Sequence, residues 1–301
     1  MGRADLTLMN EIDINKVKGG MTMKIGFIGA GKVGFSLGKY FADNNQEITG
    51  YYSEFEKDAI EAAEFTNSKV YRNQKDLVKD SEMLFVTVPD GVIEKVWNQV
   101  KTYDVSGKII CHASGALSSE VFSDISELKG FGFSIHPLFA VSDKYNSYKE
   151  LSGSYFTIEG SEQKINVVKS FLEKMGNNVC IISKNDKVKY HASAAIASNL
   201  VVGLISLSER LLTECGFNEK SAHEALAPII KGNVNHIIDD GATKALTGPI
   251  ERNDITTVKK HLEILDDNDK EIYKKLSLEV VNVAEKKNKD RDYSKIKETL
   301  K

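Results

Sequence analysis

The stretch Lys24-Ile-Gly-Phe-Ile-Gly29-Ala-Gly31-Lys-Val-Gly34 decides the fold. Ile25, Phe27 and Ile28 form a short apolar run of the kind a buried strand uses, and the glycines after it stand in the spacing G-x-G-x-x-G. The first glycine permits a tight turn, the second lets backbone N–H groups approach an anion, and the third lets a helix pack closely on the strand. A helix opening there offers its unpaired N–H groups and the positive end of its dipole to that anion. The spacing alone is weak, but at the first strand-to-helix junction it predicts a dinucleotide site. Gly29, Ala30, Gly31, Lys32, Val33 and Gly34 are its expected cofactor-binding residues.

Outward from this motif, strand and helix patterns alternate. Strands are predicted at 47–53, near Val70, at 83–88, 108–113, 131–136, 154–159 and 178–183, with helices between several of them. Ser53-x-x-Glu56 reads as a capping box for the helix after the second strand. After Ser183 the strands stop. One long, Ala-rich helix is expected from Asp186 to about Cys215, buried because Ala192–Ser208 is the longest uncharged run. Gly216 ends it, Asn218 caps a helix with Pro228 inside, and further helices start at Asp254 and at Asn268, the latter with an Asn268-x-x-Glu271 cap. The expected class is α/β, a Rossmann-like parallel-sheet domain at 23–183 followed by an all-α domain at 184–301. Residues 1–22 read as a dispensable leader.

Composition narrows the function classes. Of 301 residues, 40 are Lys or Arg and 43 Asp or Glu, so the net charge of −3 offers no concentrated basic surface for nucleic acid. Cys111, Cys180 and Cys215 are widely spaced without a CxxC, as in a reducing compartment. Residues 1–20 lack the apolar centre of a signal peptide, and the uncharged run at 192–208 is marginal for a membrane span. A cytoplasmic protein without a membrane partner is expected.

The second strand ends in Tyr51-Tyr52-Ser53, where a site for the unphosphorylated cofactor usually carries a carboxylate. Its absence favours NADP, with Ser53 and Lys57 beside the 2′-phosphate. Ligands of open parallel sheets sit beyond the carboxyl ends of the strands. That edge carries Val88-Pro89-Asp90, expected beside the cofactor, then His112-Ala113-Ser114-Gly115 and His136-Pro137. Pro89, Pro137 and Pro249, three of the four prolines, all lie in loop motifs of the expected site. His112, His136 and His191 show no short metal-ligand spacing, so no metal is expected. Farther on, His191, Ala195 and Asn199 at i, i+4 and i+8 would share one face of a small-residue helix.

The segments KIGFIGAGKVG, TVPD, CHASG, SIHPL, KYHASAAIASN and ALTGPIERND together resemble Rossmann-like oxidoreductases whose C-terminal half was catalogued as a domain of unknown function. These are distant relatives of 6-phosphogluconate dehydrogenase, ketopantoate reductase and pyrroline-5-carboxylate reductase. The resemblance covers about residues 23–280. Many members carry Arg-Gly-Asp where this chain has Arg252-Asn253-Asp254, which reduces backbone freedom at 253. The Lys-x-x-x-Asn of the wider superfamily is missing, so that assignment does not transfer, and Lys187 and Lys189 stand as further proton donors to consider. The resemblance implies NADPH-dependent reduction of a small 2-oxo acid, ketopantoate first. His191 would donate the proton, with His136 as runner-up, and Asn199 would orient the substrate. Arg252 would pair with the substrate carboxylate, Ser114 would contact the substrate, and Asp254 would orient Arg252 or cap the next helix. A pyrroline-carboxylate-type imine reductase and a non-catalytic NADP-binding redox sensor are the alternatives. The apolar helical half suggests a homodimer.

Overall fold

The computed structural model describes residues 22–301, which leaves all but the last residue of the expected leader outside the described residues. By packing, these residues form two compact units that part between Val201 and Val202. The helix that begins at Lys187 therefore belongs with the sheet.

The first unit is built on an eight-stranded sheet in the order β3-β2-β1-β4-β5-β6-β7-β8. Its strands are β1 (Lys24–Ile28), β2 (Glu47–Tyr52), β3 (Lys69–Val70), β4 (Met83–Val86), β5 (Ile109–His112), β6 (Phe131–Pro137), β7 (Tyr155–Gly160) and β8 (Asn178–Ile181). Crossover helices α1 (Lys32–Asp43), α2 (Glu56–Thr66), α3 (Gln74–Asp80), α4 (Asp90–Val100) and α5 (Ile165–Glu173) connect strands of this sheet. Strands β1 to β6 are mutually parallel, whereas β7 runs antiparallel to β6 and β8 follows β7. The parallel sheet expected from the strand–helix alternation thus holds through β6, and the chain reverses at β7, where the connection from β6 carries only a short 3-10 turn and no crossover α-helix.

Side chains alternate between the two faces of each strand. On β4, Met83 and Phe85 join one buried cluster, and Leu84 and Val86 the other. Phe27 lies between Tyr51 and Phe85, with ring centroids 5.1 and 5.4 Å away. Trp97 anchors the second face and donates its indole N–H to Ser123 O at 2.9 Å.

Two local expectations fail. Helix α2 begins after Phe55, which makes no side-chain cap, so Ser53-x-x-Glu56 forms no capping box. The pattern matched, but Ser53 sits immediately past β2, too early for the helix. The single long helix also divides, into α6 (Lys187–Ala197) and α7 (Asn199–Glu214). At the break Ser198 has φ −123° and ψ −74°, and its hydroxyl bonds back to Ala194 O at 2.8 Å. No residue of α7 is buried, contrary to the expected buried helix. Apolar composition says that a face needs a cover, not that its own chain supplies one.

The second unit is helical: α8 (Glu219–Asp240), α9 (Ala242–Ala245), α10 (Ile255–Ile264), α11 (Asp267–Lys287) and α12 (Ser294–Thr299) follow α7. Asn218 caps α8 as expected, accepting from Ser221 N at 2.9 Å, and Pro228 lies inside that helix. The cap of α11 is Asp266, two residues before the predicted Asn268. Ile250, Val258, Val281, Tyr293, Ile296 and Leu300 form the unit's core.

Candidate active site

The glycine loop after β1 shows what each glycine is for. Gly29 has φ +100°, a conformation that side chains rarely adopt. A Cβ on Gly34 would lie 2.4 Å from both Gly29 O and Thr87 Oγ1, and that hydroxyl donates to Gly29 O at 2.7 Å. A Cβ on Gly31, by contrast, would meet nothing within 4 Å. The loop is therefore closed against the protein at Gly29 and Gly34 and open at Gly31, where α1 begins without a side-chain cap. That opening fits an anionic group held by backbone N–H donors, as a pyrophosphate would be.

From the loop a groove of about 340 Å³ runs past Tyr52, Ser53 and Phe55 on one side and Val88, Pro89 and Lys95 on the other. Gln74 also lines it, and the Gln74 Oε1 is buried without a hydrogen-bond partner. Of the residues predicted for the cofactor, Gly29, Ala30, Gly31, Ser53, Val88 and Pro89 line the groove. Lys32, Val33, Gly34, Lys57 and Asp90 do not, and Lys95, which sequence reasoning missed, is the cation on it.

Beyond β5 and β6 lies a second cluster. Ser114 donates to Asp90 Oδ2 at 2.7 Å and its hydroxyl accepts from Ala116 N and Leu117 N. It is 6% exposed, so it shapes the loop and is not free to contact substrate. Asp90 opens α4 and is the other half of that brace. His112 is fully buried; its Nδ1 accepts from Ser114 N at 3.1 Å and its Nε2 faces Ser118 O at 3.2 Å. Burial chiefly lowers its pKa to about 4, so the ring is a neutral structural element.

His136 differs. Its Nδ1 is 2.7 Å from the Tyr190 hydroxyl, a contact between β6 and α6. Burial first, and Lys187 second, lower its pKa to about 3. Its Nε2 would lie 3.0 Å from a Cβ on Gly115, and His191 Nδ1 would lie 2.7 Å from the same point. Gly115 thus lets the two rings converge from different elements. The structure brings together His136 and His191, both predicted. Asn199 lies beyond the break at Ser198, and its Oδ1 accepts from the Ser198 hydroxyl at 3.1 Å, so the continuous His191–Ala195–Asn199 stripe is interrupted.

Sequence reasoning passed over Tyr190 and Gly115, and it weighed Lys187 only as a donor. Lys187 is 1% exposed, with Nζ 2.7 Å from Ser134 Oγ and 3.0 Å from Ser114 O. The available signal was a Lys, a Tyr and a His at i, i+3 and i+4 where a small-residue helix begins.

In the second unit the TGPIERND loop is held by the chain's C-terminal segment. Tyr293 Oη donates to Glu251 O at 2.6 Å, Asn288 Nδ2 to Glu251 Oε1 at 2.9 Å, and Asn253 Nδ2 to Asp292 O at 3.0 Å. Asn253 has φ +59°, so an asparagine fills the left-handed position that a glycine would take. Asp254 caps α10, accepting from Thr257 N and Oγ1, and these bonds hold its carboxyl below the usual range. Among the described residues, the exposed Arg252 guanidinium has no partner within the unit.

Two family models match separate parts of the chain, the second beginning just before β7. Residues 24–114 match the family described as NADP oxidoreductase coenzyme F420-dependent, and residues 154–280 match a domain of unknown function, DUF2520. A Bacillus subtilis protein provisionally named as the 6-phosphogluconate dehydrogenase YqeC is 31% identical over 113 residues, which is 36% of this chain and 37% of that one. The chain thus matches little more than a third of that relative's length. Protein TM1727 from Thermotoga maritima is 28% identical, with a TM-score of 0.69 over 88% of this chain and 99% of that one. The pyrroline carboxylate reductase of Plasmodium falciparum, solved with NADP bound, is 17% identical, with a TM-score of 0.57 over 93% and 98% of the two chains. At that identity the likeness is one of fold.

Proposed function

Since this chain joins an NADP oxidoreductase domain to a DUF2520 domain, we propose that it is an NADPH-dependent reductase of the pyrroline-carboxylate and imine kind. The substrate is a small C=N compound bearing a carboxylate. The observation that carries the reading is the buried His136 imidazole, whose Nδ1 meets the Tyr190 hydroxyl while Nε2 and the His191 ring converge on Gly115; burial favours its neutral form. With Nδ1–H donated to Tyr190, Nε2 accepts a hydrogen bond from a protonated imine nitrogen. Such a substrate brings its own proton. A 2-oxo acid would instead need a proton for the oxygen that hydride transfer leaves anionic, and a neutral imidazole is a poor source of one.

NADPH supplies the hydride, and the chain's own residues do the rest. The Gly29–Gly34 loop and the N-terminus of α1 bind the pyrophosphate, and the groove between Ser53 and Lys95 takes the adenosine end. His136 and His191, which converge on Gly115, orient the reacting nitrogen. Because no residue of α7 is buried and its apolar Leu200 and Val202 are 58% and 69% exposed, we also propose that a second copy covers this helix, a point for light scattering.

The test is NADPH oxidation by purified protein on a panel of pyrroline-5-carboxylate, other small cyclic imines and ketopantoate, with NADH as the cofactor control. NADPH-selective turnover of an imine is expected. Turnover of ketopantoate alone would overturn the reading in favour of the 2-oxo acid. Tight NADPH binding with no turnover on any arm would leave the redox sensor.

A further inference from the structure

Lys187 is buried without an ion pair among the described residues. Its two hydrogen-bond acceptors, Ser134 Oγ and Ser114 O, are neutral. An ammonium taken out of water into such company is expensive, and a methionine would fill the space at lower cost. The charge must therefore act on something.

Its surroundings narrow the choice. From β7 comes Glu159, already accepting from Ser119 N and Ser119 Oγ at 2.7 Å each. From the start of α4 comes Asp90, already bonded to the Ser114 hydroxyl. From β5 and β6 come His112 and His136, and from its own helix Tyr190 and His191. Both carboxylates are hydrogen-bonded elsewhere and act on Lys187 only through their charge, His112 has both ring nitrogens satisfied, and the Lys187 ammonium lies 5.7 Å from the centre of the Tyr190 ring. Ser134 and His136 are two apart on β6 and so share a face. Lys187 and Tyr190 are three apart on α6 and share a face as well. Lys187 holds Ser134, and Tyr190 holds His136.

We propose that Lys187 is the positioning residue of this site: its buried ammonium seats α6 on the ends of β5 and β6 through Ser114 and Ser134, so that Tyr190 meets His136, and its charge adds to burial in opposing a proton on that ring. A proton on His136 and the ammonium of Lys187 would repel, so the protonated Lys187 lowers the His136 pKa further than burial does alone. The pKa of Lys187 is itself lowered by burial to about 8, which leaves it charged at neutral pH. The link to an imine nitrogen rests on the reductase reading above; the charge relation between Lys187 and His136 does not.

The test needs neither substrate nor cofactor, so failure of the reductase reading leaves it intact. Imidazole ¹⁵N shifts are followed with pH in the wild type, Lys187→Met and Lys187→Arg, with the His136 signals assigned by their loss in His136→Asn. Removing one nearby charge is expected to raise the His136 midpoint by about one unit, a roughly tenfold larger charged fraction at pH 5 in Lys187→Met. Lys187→Arg, which keeps the charge, should leave His136 as in the wild type. Equal His136 titrations in Lys187→Met and wild type would overturn the proposal. Should Lys187→Met not fold, the wild type decides alone: His136 shifts must show an inflection as the Lys187 ammonium deprotonates near pH 8. A flat His136 signal through that step would sink the proposal as surely.

Discussion

Replacing Gly115 by Ala adds a single methyl group at the point where His136 and His191 meet. Gly115 is not among the positive-φ residues, so its backbone accepts alanine and the effect is purely steric. The new Cβ would stand 2.7 Å from His191 Nδ1, 3.0 Å from His136 Nε2 and 3.1 Å from His136 Cε1, where ordinary contact begins at 3.4 Å. Each ring must therefore retreat by several tenths of an ångström. His191 is exposed and can swing away, whereas His136 is tied to Tyr190 and moves only by straining that bond. The stability cost should stay near or below about 1 kcal/mol, the lower end of overpacking. A reacting group misplaced by about 1 Å loses on the order of a hundredfold in rate, so a smaller shift should lose about tenfold. The assay pairs a thermal melt and an NADPH-binding titration, both expected near wild type, with turnover on the best substrate of the panel. Unchanged turnover would refute the view that the two rings act together.

Three other outcomes are expected. Acid should destabilise the protein through His112 and His136, whose folded pKa values of about 4 and about 3 lie below the ordinary 6.5. The unfolded chain binds protons that the native rings refuse, so their contribution is complete above pH 6.5 and falls as pH drops toward those values. By pH 5 the loss is about 2 kcal/mol per ring; urea midpoints at pH 7 and 5 measure it, and His112→Gln should remove about half. Gly34→Ala places a Cβ 2.4 Å from Gly29 O, a backbone atom with nowhere to go, so NADPH affinity should fall at least about tenfold and stability by about 1–3 kcal/mol; wild-type affinity in a fluorescence titration would contradict the role given to that glycine. Asn253→Val forces a β-branched residue into φ +59° and should cost more than about 1 kcal/mol in a urea melt, with Asn253→Gly costing less.

The strand–helix alternation and the Gly29–Gly34 turn were legible because each rests on local spacing. His112 and His136 were legible as strand-end polar groups, since parallel sheets send ligands to that edge, and His191 from its place on a small-residue helix. Sequence could not show that β7 reverses, because a strand reads the same in either direction. It could not show that Ser198 would bond back to Ala194 and divide a helix, since serine is tolerated inside many helices. Lys187 was hardest, because a lysine between exposed Lys184 and Lys189 looks like one more solvated charge. Its burial follows from its neighbours across the sheet, Ser114 and Ser134, 73 and 53 residues away in sequence.

The reversal at β7 has a further effect on what the chain can vary. It lets the polypeptide leave the sheet after β8 and run α6 alongside β6, so that the two are read in phase: Lys187 against Ser134, then Tyr190 against His136. Three helical residues advance about 4.5 Å and two strand residues about 6.6 Å, so side-chain reach makes up the difference over a single repeat. Residues 182–186 set that phase. Deleting one of them would rotate α6 by about 100° and uncouple both pairs while leaving every strand in register. The 138–154 segment, which joins strands already locked by their own ladder, carries no such constraint. Length, more than residue identity, is what the short link before α6 has to keep.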